Sequence, residues 1–216
     1  MFRSELRGPA AAWLVSILAL GIGWSACPAL AQPPMPSASA AAAAAPVPRS
    51  LRRELDRAEA QLRSLLRGRA QNDALLVVRE PRRLILRLPA QSLFKPDSAT
   101  LRANAMELGL GVAAQILQQR RRLVAQIVVY TDDIGGADAN LSLSAQRAAA
   151  ILKALQSARI SAARLVGVGA GEAANLAGND SPEERTQNRR VEISFALSLA
   201  ALPAPAALSA PTPPAP

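Results

Sequence analysis

Asp132 and Arg147 are the residues whose types and spacing most suggest chemistry. The stretch YTDDIGGADANLSLSAQR, residues 130–147, reads as a strand end, a glycine-bearing loop and a helix start, with an acid and a base at its two ends. If residues 133–143 form the loop, both charges fall on one edge. A carboxylate there takes an ammonium, and a guanidinium takes a carboxylate in a two-pronged, charge-assisted contact. A ligand carrying both groups is the natural match. Ser144 suits the N-cap of the following helix, which places Arg147 in the first turn. Free backbone N–H groups and the helix dipole favour an anion at that end, whereas an arginine placed there gains only if an anion arrives. On spacing alone the simpler arrangement is favoured: Asp132 and Arg147 pair with each other, or Asp132 caps its own turn.

A second cluster is ERTQNRRVEI, residues 184–193. Arg185, Arg189 and Arg190 precede and enter a strand in which Val191, Ile193 and Phe195 alternate, and Asn188 can both donate and accept hydrogen bonds. Composition alone favours a solvated basic strand edge, which discourages edge-to-edge pairing.

The elements that must position these groups are legible in outline. Leu51, Leu55, Ala58, Leu62 and Leu65 recur at spacings of four and three, a two-heptad apolar seam on a helix. Docking on its own domain, or service as a spacer, is favoured over self-association. LLVVREPRRLILRL reads as two short strands broken at Glu80-Pro81. Leu101, Ala105, Leu108, Val112 and Ile116 then keep helical spacing, with Gly109 and Gly111 marking either weak helix or close packing. LVAQIVVY is a nearly continuous apolar run, as in a strand central to a sheet. Ala148, Ile151, Leu152 and Leu155 give a second helical face, RLVGVGA a glycine-rich strand, residues 172–182 a loop, and RRVEISFAL the last strand. That order predicts an α/β fold: a two-layer sandwich of a mixed β-sheet with helices packed on one face.

The expected boundaries follow composition. Residues 1–31 combine Arg3 and Arg7, an apolar run and Ala29-Leu30-Ala31, a secretory signal with cleavage before Gln32. Lipidation at Cys27, the only cysteine, is the less favoured alternative because Trp24 stands where such sites usually carry a leucine-like residue. The run is short of the roughly 20 residues a spanning helix needs. Residues 32–49 form an Ala/Pro-rich linker, 50–72 the amphipathic helix, 75–198 the domain with its N-terminal strand pair, and 199–216 an Ala/Pro-rich tail.

Composition also excludes chemistry. The chain of 216 residues has no histidine, so it builds no Ser/His/Asp triad, no Cys/His pair and no usual zinc site. No metal or cofactor is expected, and no acid/base carboxylate pair supports a hydrolase, since Glu172 and Asp180 lie in a loop without identifiable partners. The net charge of +9 becomes +8 once the signal (two arginines less one glutamate, +1) is removed, which favours an anionic polymer as partner. Nucleic acid is disfavoured by the secretory signal and by an aromatic content of 3%, too little for base stacking.

Thr131-Asp132-x-x-Gly135, then Asn140-x-x-Leu143-Ser144-x-x-Arg147-Ala148, then Asn188-Arg189-Arg190-Val191 occur in an order and spacing that resembles the OmpA-like peptidoglycan-binding domain. SLFKPDSATL is similar to that family's opening strand-to-helix segment, and the resemblance covers about residues 84–197. It implies a βαβαββ domain in the periplasm that anchors to the cell wall non-covalently and without catalysis, by recognising the diaminopimelate residue of the peptidoglycan stem. It further implies that Asp132 and Arg147 grip that residue's ammonium and carboxylate, with Thr131, Asn140, Leu141 and Arg189 or Arg190 around them. The chain departs from the family pattern at Val129 and Tyr130, where Gly and His are most frequent, at Lys95, where an acid is common, and at Asn175, where Pro is frequent. The alternative function is a structural adaptor of an envelope secretion or motility assembly, with a protein partner on the helix of residues 50–67.

Overall fold

The computed structural model describes residues 47–67 and 75–203. The expected signal segment with Cys27, nearly all of the linker, residues 68–74 and the tail beyond 203 lie outside the described residues. Helix α1 (Arg49–Leu66) leads into strands β1 (Leu76–Arg79) and β2 (Leu84–Pro89) and the single turn α2 (Ala90–Leu93). A π-helical turn (Met106–Leu110) opens α3 (Gly111–Gln119); β3 (Val124–Tyr130), α4 (Ala137–Ser157), β4 (Leu165–Gly171), α5 (Pro182–Asn188) and β5 (Arg190–Ala196) complete the domain. The five strands form one sheet in the order β1-β2-β5-β3-β4. Only β3 and β4 run parallel; the other neighbours are antiparallel. The fold is the mixed α/β two-layer arrangement read from the sequence.

Period-two alternation sorts each strand between the layers. Ala125, Ile127 and Val129 of β3 and Val191, Ile193 and Phe195 of β5 enter the core beneath the helices. The alternate residues Val128 and Tyr130 form a small cluster with Ala170 on the other side of the sheet. β5 is therefore not a solvated edge. It lies between β2 and β3 and is buried throughout, because its apolar alternation demands a covered face whatever charges precede it.

Helix α1 docks on its own domain. Leu51, Leu55, Ala58, Leu62 and Leu66 join the core, while Leu65 is only partly buried against it. Leu55 and Leu62 are fully buried, and each such leucine stabilises by about 2 kcal/mol. Ion pairs fasten its polar sides: Arg79 to Asp56 (3.2 Å) and Glu59 (3.4 Å), and Arg120 to Glu54 (3.2 Å). The described helix is Arg49–Leu66; residues 68–72 of the expected helical segment lie outside the described residues.

One alternative left open by the sequence is resolved, and two readings of it are corrected. Gly109 is a site of close packing, since a Cβ there would meet Leu88 Cδ2 at 2.7 Å. Residues 182–188, read as part of a loop and a strand approach, form α5, opened by a capping box between Ser181 and Glu184 with Pro182 in the first turn. Residues 199–203, read as tail, fold back: Leu199–Ala201 make a short 3₁₀ turn, Leu202 is buried, and Gln126 donates to the Pro203 carbonyl at 2.8 Å.

Candidate ligand-binding site

The pocket is built where β3 ends and α4 begins. Thr131 and Asp132 follow β3 directly, and the Thr131 N–H donates to the Gly171 carbonyl (2.7 Å), continuing the pairing with β4 past the strand end. Gly135, at φ +100°, and Gly136 then reverse the chain; a left-handed φ is strained for residues with a Cβ. Helix α4 starts at Ala137, with Gly136 as N-cap. The loop is thus far shorter than residues 133–143. Ser144 is not the N-cap and Arg147 is not in the first turn: Arg147 lies two turns beyond Asn140, so the helix terminus does not act on it directly. The predicted start failed because NLSLS shows little apolar periodicity, the signal used to find helices.

Helical spacing aligns Asn140, Ser144, Arg147 and Ala148 on the buried face of α4. Two features hold that face against β4. A Cβ on Gly169 would stand 2.2 Å from the Ala145 backbone nitrogen, so only glycine admits the helix this close. The Ser144 hydroxyl donates to the Leu141 carbonyl and accepts from the Gly171 N–H, both at 2.9 Å.

A cavity of about 430 Å³ opens beside this face, lined among others by Phe94, Lys95, Thr131, Asp132, Asn140, Arg147 and Arg189. Asp132 and Arg147 both border it, yet they do not pair. The Asp132 carboxylate accepts from Arg189 at 2.6 Å, and Arg189 also donates to Thr186 (2.7 Å). Arg147 is 7% exposed; its Nε donates to the Ser98 carbonyl at 2.9 Å and its guanidinium lies 5.2 Å from the centre of the Phe94 ring. Among the described residues no carboxylate lies within the 4.0 Å of an ion pair with Arg147. Burial pushes the Arg147 guanidinium down from its ordinary range, against the pull of Asp97 and then Asp132. Thr131 adds a buried hydroxyl without a hydrogen-bond partner among the described residues. Buried polar atoms are rarely left so unless something else completes them.

The wall opposite α4 is the loop 95–100. An isolated bridge between Phe94 and Leu101 closes its base, and the Lys95 N–H donates to the Thr100 carbonyl at 3.0 Å. This closure presents the Ser98 carbonyl to Arg147. Asp97 at its tip takes φ +46°, a conformation that aspartate tolerates better than most residues.

Thr131, Asp132, Asn140, Arg147 and Arg189 thus share one cavity. Two sequence-predicted residues do not. Leu141 is 43% exposed and lines a neighbouring cleft with Asp133, Asp138 and Glu172, because the earlier helix start rotates it about 100° from Asn140. Arg190, the first residue of β5, points to the other side of the sheet. Its guanidinium sits 3.6 Å from the Tyr130 ring centre, bonds Glu192 at 3.0 Å and donates to the Ala174 carbonyl at 2.8 Å. Asn188 is a structural clamp, holding residues 176–179 through both its carbonyl and its amide. Sequence reasoning passed over Phe94 and Ser98 as partners of Arg147, and no local signal marks a backbone carbonyl for such a role.

Known proteins and solved structures resemble this domain. Residues 93–189 match the model described as the OmpA family. The protein named "Probable lipoprotein YiaD" from Escherichia coli is 36% identical over 141 residues, 65% of this chain and 62% of that one. The peptidoglycan-binding protein ArfA from Mycobacterium tuberculosis is 41% identical over 64 residues, 30% of this chain and 20% of that one. This chain therefore spans about three fifths of the first relative's length and a fifth of the second's. The structure of the cell wall anchor of the T6SS from Pseudomonas aeruginosa superposes with a TM-score of 0.56 at 25% identity, covering 62% of this chain and 96% of that one. Residues 93–189 of this chain form an OmpA-family domain.

Proposed function

We propose that this domain binds peptidoglycan non-covalently and without catalysis, and that it does so by enclosing the zwitterionic side-chain end of a stem diaminopimelate. The observation that carries the reading is the state of Arg147: a nearly buried guanidinium that faces a cavity with no carboxylate paired to it. A buried charge without a partner is costly, and a ligand carboxylate removes that cost. Asp132 supplies the anion for the ammonium beside its contact with Arg189, and the Thr131 hydroxyl supplies a further hydrogen bond. Asn140 braces the site, its amide donating to the Asp132 carbonyl (3.2 Å). The wall-related names of ArfA and of the secretion-system anchor point the same way.

The protein acts in the periplasm in this reading, as an anchor to the wall. The adaptor alternative placed a partner on the helix of residues 50–67; the likeness to the secretion-system anchor suits an assembly role, but the apolar stripe of α1 is already covered by the domain. The test is co-sedimentation with purified peptidoglycan of the diaminopimelate and lysine types. Wild type is expected to sediment with the first only, and Asp132→Ala and Arg147→Ala with neither. Equal retention of all three proteins on both wall types overturns the reading.

A further inference from the structure

The two charges that bracket the cavity are not equally available. Asp132 already carries one charge-neutralising contact, from Arg189 at 2.6 Å, so an incoming ammonium must share the carboxylate with a guanidinium. Arg147 forms no ion pair among the described residues, so an incoming carboxylate breaks none to reach it. The lining repeats this bias. Lys95, Arg102, Arg147 and Arg189 face Asp97 and Asp132, four cations against two anions. Arg102 is committed to the loop, its Nε donating to the carbonyls of Gln91 (2.9 Å) and Phe94 (2.8 Å). Lys95 is exposed at the rim, and among the described residues no carboxylate forms an ion pair with it.

Resting on the reading above, we propose that the pocket selects the ligand's carboxylate ahead of its ammonium, with Lys95 setting that bias, so that it separates stems with a free diaminopimelate side-chain carboxylate from stems in which that group is a carboxamide. The amide is nearly the same size, so shape does not distinguish them. Charge does: a carboxamide can accept through its oxygen only, leaves Arg147 buried and unneutralised, and turns its NH₂ donors toward a donor where the acid has a second acceptor. Lys95 acts from the rim and across solvent. Its share is accordingly smaller than that of Arg147 and is screened by salt.

The experiment is calorimetric titration of the full chain with three synthetic stem tetrapeptides. They carry at the third position diaminopimelate with a free side-chain carboxylate, the same residue as its carboxamide, or lysine. The expected result is that the free acid binds at least about tenfold more tightly than either of the others, the effect of removing a charge-assisted hydrogen bond from a buried site. In Lys95→Gln, the free acid is expected to weaken about threefold at low salt while the amide is unchanged, the size of an exposed charge interaction. Equal affinity of wild type for the free acid and the amide overturns the proposal while leaving wall binding intact. An acid-to-amide ratio unaltered in Lys95→Gln overturns the role of that residue. Failure of wild type to bind any of the three stems removes the parent reading and this one together.

Discussion

Two buried arginines on opposite sides of the sheet differ in one respect. Arg190 is 5% exposed and Arg147 is 7% exposed. The first is completed by the fold: Glu192 takes its charge, the Ala174 carbonyl takes a hydrogen bond, and the Tyr130 ring covers its face. Arg87 also bonds Glu192 at 2.9 Å, closing the group. The second has a carbonyl and a ring at 5.2 Å, but no counter-charge within pairing distance among the described residues. Both are buried arginines beside an aromatic ring. What sets Arg147 apart, and carries the proposal that it is a site, is the missing anion.

The comparison is broken first at Arg147. Arg147→Ala is expected to weaken wall binding on the order of a thousandfold, as when one member of a buried charged pair is removed, with the thermal midpoint moved by only a few degrees or about 1 kcal/mol. Sedimentation and a melting curve on the same preparation check both halves. Arg190→Ala should reverse that pattern. Stability falls by about 2 kcal/mol because Glu192 keeps only Arg87 as a partner and the Ala174 carbonyl loses its donor, measured by urea denaturation, while the folded protein retains wild-type wall affinity.

Gly169→Ala tests whether the pocket depends on the closeness of α4 to β4. It should cost about 2 kcal/mol of stability through overpacking and weaken wall binding with it, since displacing α4 moves Arg147. Ser181→Ala removes the capping box of α5 and should cost about 1 kcal/mol, with a smaller effect on binding through Thr186 and Arg189. The smallest effect is a pH dependence on the Arg190 side. Burial, with help from Glu192, raises the Tyr130 hydroxyl above its ordinary value of 10.0, against the opposing pull of Arg190, Arg83 and Arg87. The unfolded chain ionises first, so this contribution is complete below pH 10 and is lost as pH rises through the higher folded value. Tyr130→Phe should flatten that decline in denaturation curves taken from pH 9 upward.

What the sequence could reveal followed the reach of each signal. The apolar runs of β3 and β5 and the seam of α1 made their elements legible, because each buries a periodic face. Asp132 and Arg147 were legible as charges flanking a turn, but not the reason for their separation. That reason is that Arg189, 57 residues further on, takes Asp132, and an interaction of that range has no local signature. The fates of Arg189 and Arg190 were illegible for a narrower reason: adjacent residues at a strand start part to opposite faces, and one position of error in the start exchanges them. By contrast, α5 was readable and missed. Ser181-Pro182-Glu183-Glu184 carries a capping box and a first-turn proline within four residues.

The bare backbone of β4 has a mechanical consequence. At Gly169 the strand and α4 meet without an intervening side chain, and the Ser144 hydroxyl bolts the two together at Gly171. If Arg147 holds a wall strand as proposed, tension applied there enters α4 and passes into the parallel β3-β4 pair. With no side chain between helix and strand at Gly169, the joint would act as a stiff coupling, passing movement of the wall to the sheet instead of absorbing it at the pocket.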